Sequence, residues 1–424
     1  MNYINRAAED TVERVAKMFP VLMLTGPRQV GKTTLLQKLA EKESENGIKR
    51  KYVTLDDPNA RYIAKTDPAL FMQRYTPPVL IDEIQYAPEI LPYIKMSVDE
   101  SKRKGDYWLT GSQAFHMMKN VSESLAGRVG IVNLLGLSDA EIYSEPSEPF
   151  VTDPDFLIKR LSVRSKKGLN EIYERIFRGS MPELCADSTL DREAYYRSYV
   201  NTYLQRDILD LTQVADEMQF YNFMIVVAAN TSKPIVYEEL ANAAGITIPT
   251  AKKWLSVLVS SHIVALVQPY YNNALKRVVK MPLVHFLDTG LAAYLLKWNS
   301  PEVLEAGAMS GAFFESYVFS EIYKSYLNAG KEPPIYYYRD KDKKEIDLLI
   351  FQNGELSPIE IKKSASPGKA AIKNFSVLEP VTNEASFDGL SSLKVNIGTG
   401  SVVCMANDLL PIDKNNWYVP VWLI

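Results

Sequence analysis

The stretch VLMLTGPRQVGKTTLLQKLA, from Val21 to Ala40, constrains this chain more than any other. An apolar, strand-like run leads into a loop bounded by Gly26 and Gly31, and Leu35, Leu36 and Leu39 then mark one face of a helix. The two glycines let the backbone bend until its N–H groups converge, and the helix beginning near Lys32 adds its positive end. Donors gathered in this way bind anionic oxygens. Strand, loop and helix together predict an α/β module: a parallel sheet with flanking helices.

The spacing fits the Walker A pattern. It predicts that Gly26, Pro27, Arg28, Gln29, Val30, Gly31, Lys32, Thr33 and Thr34 cradle the phosphates of ATP. Lys32 would reach the β- and γ-phosphates, and the Thr33 hydroxyl would ligate Mg²⁺. A second segment, PPVLIDEIQYAPE, reads as a buried parallel strand, Val79–Ile81, running out into Asp82 and Glu83. Ligands of open α/β sheets bind beyond the carboxyl ends of the strands. Asp82 is therefore the expected second Mg²⁺ ligand and Glu83 the expected base for an attacking water, the plainer alternative being an acidic turn after a core strand. In DYWLTGSQ a third strand ends near Ser112, a small polar side chain for the γ-phosphate or the water, or simply a turn residue. In SLAGRVG, Arg128 is the residue expected to neutralise transition-state charge, in its own site or a neighbouring subunit's; the alternative is an ordinary solvated arginine.

In this order, GPRQVGKT, LDDPNAR, LIDEIQ, LTGSQ and SLAGRVG resemble a branch of prokaryotic AAA+-type ATPases with a long C-terminal region. RGSMPE, YLQRDI, FLDTGLA, FFES and EIDLLI…PIEIKKS extend the resemblance over nearly the whole chain. The resemblance implies ATP hydrolysis and a ring or other homo-oligomer, and it leaves the physiological substrate open. It also implies that Arg206 and Asp207 sense the nucleotide.

The length of 424 residues exceeds one compact core and calls for about two to four domains. A net charge of −3 offers no global basic field to nucleic acid, so any such binding must come from a local patch. Cys185 and Cys404 lie far apart, and His116, His262 and His285 are scattered, which excludes a disulfide framework and the common zinc sites. The start, MNYINRAAEDTVERV, has acids where a signal peptide needs an apolar core, and the longest apolar runs fall short of a bilayer span. A cytoplasmic protein without membrane contact is expected.

A Pro-, Ser- and acid-rich segment, GLSDAEIYSEPSEPFVTDPDF, marks a domain edge. Beyond it, AYYRSYVNTYLQRDILDL is helical, with Tyr195, Tyr199 and Tyr203 four apart as a packing stripe. The run IVYEELANAAGITIPTAKKWLSVLVSSHIVALVQPYY predicts a helix through Leu240, a turn at Gly245, a second helix through Leu255 and Leu258, and a strand pair. That order resembles a winged helix. Lys252, Lys253, Lys276, Arg277 and Lys280 suit DNA or RNA phosphates without sequence preference, although winged helices also serve as protein contacts.

Near the end, EIDLLIF and PIEIKKS read as two strands joined by a turn. Alternation places Ile346, Leu348 and Ile350 on one face and Asp347 on the other, and it puts Glu360 beside Lys362. Glu315 shares an apolar helix face with Val318, Phe319 and Ile322. This set resembles the PD-(D/E)xK nuclease superfamily, with Ile346 replacing the superfamily's proline. The resemblance implies that Glu315, Asp347 and Glu360 bind a second Mg²⁺ or Mn²⁺ while Lys362 assists, so Asp347, Glu360 and Lys362 join the catalytic candidates. The alternative is a nuclease-like scaffold in which Asp347 and Lys362 form an ion pair.

The predicted order is an ATPase module (1–148), a helical lid or linker (149–215), a winged-helix-like domain (216–300) and a nuclease-like α/β domain (301–424). The expected function is Mg²⁺-dependent ATP hydrolysis coupled to nucleic-acid binding or processing. The rival is a nucleotide-switched regulator of a protein partner, with an inactive nuclease-like domain.

Overall fold

The computed structural model describes residues 3–111, 124–203, 217–270, 281–340, 342, 344–378 and 395–424. Its N-terminal sheet has five strands, β1 (Val21–Thr25), β2 (Lys51–Thr54), β3 (Val79–Asp82), β4 (Tyr107–Gly111) and β5 (Val129–Asn133), in the order β2-β3-β4-β1-β5. All four pairings are parallel. Side chains of β1 alternate between two cores, Leu22 and Leu24 packing in one and Val21 and Met23 in the other. Burial on both faces explains why the strand reads as one apolar run. Helix α1 (Glu9–Met18) packs on β1 and β5, and α2 (Lys32–Glu45) follows the loop after β1.

The middle of the chain contributes α3 (Leu169–Arg178) and α4 (Arg192–Tyr203). Next come α5 (Tyr237–Ala244), a left-handed Gly245 and α6 (Ile248–Ser260), where Thr247 accepts the Thr250 N–H as N-cap. An antiparallel pair follows, β7 (Val264–Pro269) and β8 (Leu283–Phe286), with β6 (Lys233–Pro234) on its far edge. Lys276, Arg277 and Lys280 lie outside the described residues, as do Arg206 and Asp207.

The C-terminal strands are β9 (Ile335–Arg339), β10 (Glu345–Gln352), β11 (Glu355–Lys362), β12 (Asn396–Ile397), β13 (Gly400–Cys404), β14 (Leu410–Pro411) and β15 (Asn416–Pro420). They do not form a separate sheet. β9 pairs in parallel with β7 through Gln268 and Tyr336, so one sheet runs β14-β15-β13-β11-β10-β9-β7-β8-β6. The boundary read at residue 300 therefore falls inside a continuous hydrogen-bonded sheet.

One long helix, α7 (Ser310–Asn328), packs on β8 and β11 and also reaches the N-terminal module. There the Tyr317 hydroxyl donates to Asp139 Oδ2 at 2.6 Å, and Arg175 Nε donates to Asp139 Oδ1 at 3.1 Å. Lys324 bridges Glu321 at 2.9 Å and the Leu137 carbonyl at 3.0 Å. These side chains are buried together, a setting in which removing one partner costs about 3–5 kcal/mol.

Among the described residues, no helix is long and apolar enough to cross a membrane.

Candidate functional site

Strand β1 delivers the chain into the loop at its carboxyl end. At Gly26 φ is +144°, and a side-chain carbon there would sit 1.9 Å from the Leu134 carbonyl oxygen, so the turn is open only to glycine. Gln29 and Gly31 are also left-handed, at φ 60° and 86°. Helix α2 then begins at Lys32 with Gly31 as N-cap. The buried Lys32 ammonium donates to the carbonyls of Gly26 (2.9 Å) and Pro27 (2.6 Å), holding the loop closed around itself.

Asp82 ends β3, with β4 between it and the loop strand. Its Oδ1 accepts hydrogen bonds from Thr33 Oγ1 at 2.6 Å and Thr110 Oγ1 at 2.5 Å, and its Oδ2 accepts from the Tyr52 hydroxyl at 3.3 Å. A hydroxyl and a carboxylate oxygen in contact beside a phosphate loop are hard donors that suit Mg²⁺, and Thr33 and Asp82 are the residues that would hold it. Glu83 follows in a left-handed conformation, φ 57°, with its N–H donating to Thr110 Oγ1 at 3.1 Å. The Gln85 amide donates to the Glu83 carboxylate. Burial pushes the Glu83 carboxyl above its ordinary range, against the opposing pull of the Lys32 ammonium and Gln85.

Not every predicted member gathers here. Arg128 precedes β5, its carbonyl accepting the Val21 N–H at 3.2 Å, which places it at the amino ends of the strands. The phosphate loop leaves their carboxyl ends, about 13 Å of strand away. Its guanidinium is held instead by Asp99, through Nε at 2.5 Å and a second nitrogen at 3.0 Å. The fold does not bring Arg128 to its own chain's loop. Ser112 lies outside the described residues. Thr34 is exposed in the first turn of α2, Gln29 is exposed and Arg28 half-buried on the loop.

Behind the loop lies an assembly that local pattern did not reveal. Asp288 accepts from Ser180 N and Ser180 Oγ, both at 2.7 Å, from the Tyr196 hydroxyl at 2.8 Å and from Leu291 N at 2.6 Å. Glycine permits this closeness: a side-chain carbon at Gly179 would lie 2.1 Å from the Tyr196 hydroxyl oxygen, and one at Gly290 2.4 Å from it. RGSMPE and FLDTGLA are thus the two halves of one joint, and Gly179 and Gly290 in those two stretches were the signal in the sequence. A cavity opens between this joint and the phosphate loop, lined by Pro27, Val30, Tyr199, His262, Leu287 and Asp288 among others.

In the C-terminal region the predicted residues do meet. Lys362 Nζ lies 2.6 Å from Glu360 Oε1 and 3.6 Å from Asp347 Oδ2, and Asp347 Oδ2 also accepts the Ile361 N–H at 2.7 Å. Glu315, on α7, accepts from the Ser232 hydroxyl. Desolvation raises the Glu315 and Glu360 carboxyls to about 7, and the neighbouring Asp347 charge adds to it. Strict alternation fails at this point. The β9–β10 register shifts between Ile346 and Leu349, so Ile346 packs with Leu349 while Leu348 and Ile350 face the other core.

The expected metal triad is also not assembled. Among the described residues no three acidic, histidine or cysteine side chains are arranged to hold a metal ion. The lysine ammonium stands against two of the three acids, and the Glu360 Oε2 atom is buried without a partner among the described residues. As placed, these residues do not fit a three-carboxylate Mg²⁺ or Mn²⁺ site.

The family described as "AAA domain" matches residues 18–143, a "Domain of unknown function (DUF8612)" matches 169–302, and a "Domain of unknown function (DUF4143)" matches 310–424. Uncharacterized proteins of Mycobacterium tuberculosis (strain H37Rv) and Mycobacterium bovis are each 28% identical over 364 residues, 85% of this chain and 74% of theirs. Among solved structures, the Walker-type ATPase PABY2304 of Pyrococcus abyssi is 13% identical with a TM-score of 0.41, covering 69% of this chain and 96% of that one. The replication initiator DnaA, bound to AMPPCP and single-stranded DNA, is 13% identical with a TM-score of 0.28 over 59% of this chain and 86% of that one. Residues 18–143, which carry the phosphate loop, match the AAA domain family.

Proposed function

We propose that this chain is a Mg²⁺-dependent ATPase whose nucleotide state switches the arrangement of its C-terminal half toward a partner. The observation that carries the reading is the 2.6 Å contact from Thr33 to Asp82, beside a loop turned for phosphate at the carboxyl ends of parallel strands.

The triphosphate lies along the loop N–H groups at the positive end of α2, and Lys32 exchanges its loop carbonyls for phosphate oxygens. Thr33 and Asp82 would hold Mg²⁺, which would supply neutralisation of phosphate charge there. Glu83 takes the proton of the attacking water, its raised proton affinity making it the stronger base, while Thr110 fixes the backbone of Glu83 and one oxygen of Asp82. Arg128 faces away from this chemistry and would serve only a neighbouring copy's site. The acid cluster, closed by Lys362, supports a scaffold rather than a nuclease.

Phosphate release from ATP with Mg²⁺ tests the reading. Wild-type protein should release phosphate steadily and Lys32→Ala protein should not; equal rates would remove the N-terminal site from the account.

A second reading, phosphate-backbone binding of DNA or RNA, is favoured by Lys252 and Lys253, both exposed on α6. A steep loss of binding with rising salt would support it, and no binding at low salt would leave the protein-partner reading.

A further inference from the structure

His262 stands where a helix normally ends in glycine. It follows α6 with φ 54°, its N–H donating to the Val259 carbonyl, and the Ile263 N–H returns to the Leu258 carbonyl, both at 3.0 Å. This is a Schellman-type stop, whose left-handed position favours glycine because a side chain there costs conformational energy. A histidine at that conformational cost points to a use for its ring.

His262 lines the cavity that Pro27 and Val30 of the phosphate loop also line. The Pro27 carbonyl is one of the two that hold the Lys32 ammonium, at 2.6 Å, and His262 is near enough for the Lys32 charge to act on its ring. Burial and the Lys32 charge both keep the imidazole neutral, pulling its pKa down to about 4, and among the described residues no hydrogen bond acts on it. The other charged group on the cavity wall, Asp288, is already engaged by Ser180, Tyr196 and the Leu291 N–H. An anion between Lys32 and His262 would satisfy an ammonium and an imidazole N–H from two different modules.

Resting on the ATPase reading, we infer that His262 is a nucleotide-positioning residue: its ring donates a hydrogen bond to a phosphate oxygen of ATP in the loop and so ties the helix–turn–helix region to nucleotide occupancy. The contact makes the end of α6 part of the nucleotide site. Losing the nucleotide frees that end, which gives the switch a physical origin.

The test is His262→Gly. It removes the ring while relieving the left-handed backbone, so the thermal midpoint should hold or rise. Calorimetry with ATP and Mg²⁺ should nonetheless show affinity about tenfold weaker, the scale of one hydrogen bond to a charged group. In wild-type protein the His262 ring ¹⁵N resonances should move when ATP is added. A glycine variant binding ATP as tightly as wild type, or ring resonances that ignore ATP, would overturn the inference while leaving the ATPase reading intact. Wild-type protein that binds no ATP would instead remove the reading beneath it, and the inference with it.

Discussion

The Asp139 backbone N–H donates to Glu321 Oε2 at 2.8 Å across 182 residues of sequence. Asp139 opens a short helix just beyond the last strand of the P-loop sheet, and Glu321 lies six positions after Glu315 on α7. One helix therefore carries both a docking contact to the N-terminal module and a member of the C-terminal acid cluster. A second thread runs the other way. Arg6 donates to the loop carbonyl of Val30 at 2.7 Å and to Glu141 at 2.8 Å, and Glu141 closes a capping box with Ser138 next to Asp139.

Asp139→Ala should weaken this docking by about 3–5 kcal/mol, because it strands the buried Arg175 guanidinium and the Tyr317 hydroxyl. Thermal unfolding should show a lower midpoint or a split transition. An unchanged single transition would mean that the buried network does not join the modules.

Glu83→Gln should separate binding from turnover. The amide keeps the side-chain size and the left-handed backbone but cannot accept the water's proton, so turnover should fall by about 10²–10⁴-fold. ATP affinity should stay within about threefold of wild type by calorimetry. In wild-type protein the raised Glu83 proton affinity should move the acid limb of the rate profile above that of an ordinary glutamate. Turnover by Glu83→Gln at the wild-type rate would take the base role away from this residue.

Arg128→Ala should reduce ATP turnover by less than about twofold in dilute protein, since exposed pairs such as that with Asp99 contribute little and the guanidinium is remote from its own loop. Steady-state kinetics over a range of protein concentrations checks this. A hundredfold loss appearing with concentration would show that Arg128 enters a neighbouring copy's site.

The acid cluster makes stability depend on pH. Glu315 and Glu360 hold protons up to about 7 when folded, against an ordinary value of 4.5. A carboxyl whose folded pKa is raised stabilises the fold fully below the unfolded value and loses that contribution as pH rises through the folded one. The window is therefore about pH 4.5 to 7. Glu315→Gln, which fixes the neutral form, should raise the thermal midpoint at pH 8 and change it little at pH 4.5. A gain of equal size at both pH values would show that the charge is not the cause.

What the sequence discloses follows the range of the forces involved. The loop at Gly26–Thr33 and the acids at Asp82 and Glu83 are legible because strand–loop–helix chemistry is local and its spacing is rigid. The residues from Glu315 to Lys362 could be brought together from period and turn, yet the register shift beside Asp347 was invisible, since a bulge depends on both strands of the pair. Arg128 shows the limit clearly: a short motif does not say which end of a sheet it occupies. The Ser180–Asp288 joint spans 108 residues, and the β7–β9 pairing that fuses two expected domains is equally non-local. No window of sequence contains either.

The most direct measurement of the central claim is a calorimetric titration of folded protein with ATP in the presence of Mg²⁺. Uptake should be saturable at one site per chain and abolished or strongly weakened by Lys32→Ala and by Gly26→Ala, whose added carbon would strike the Leu134 carbonyl. Well-folded wild-type protein that takes up no ATP with the metal supplied would contradict it.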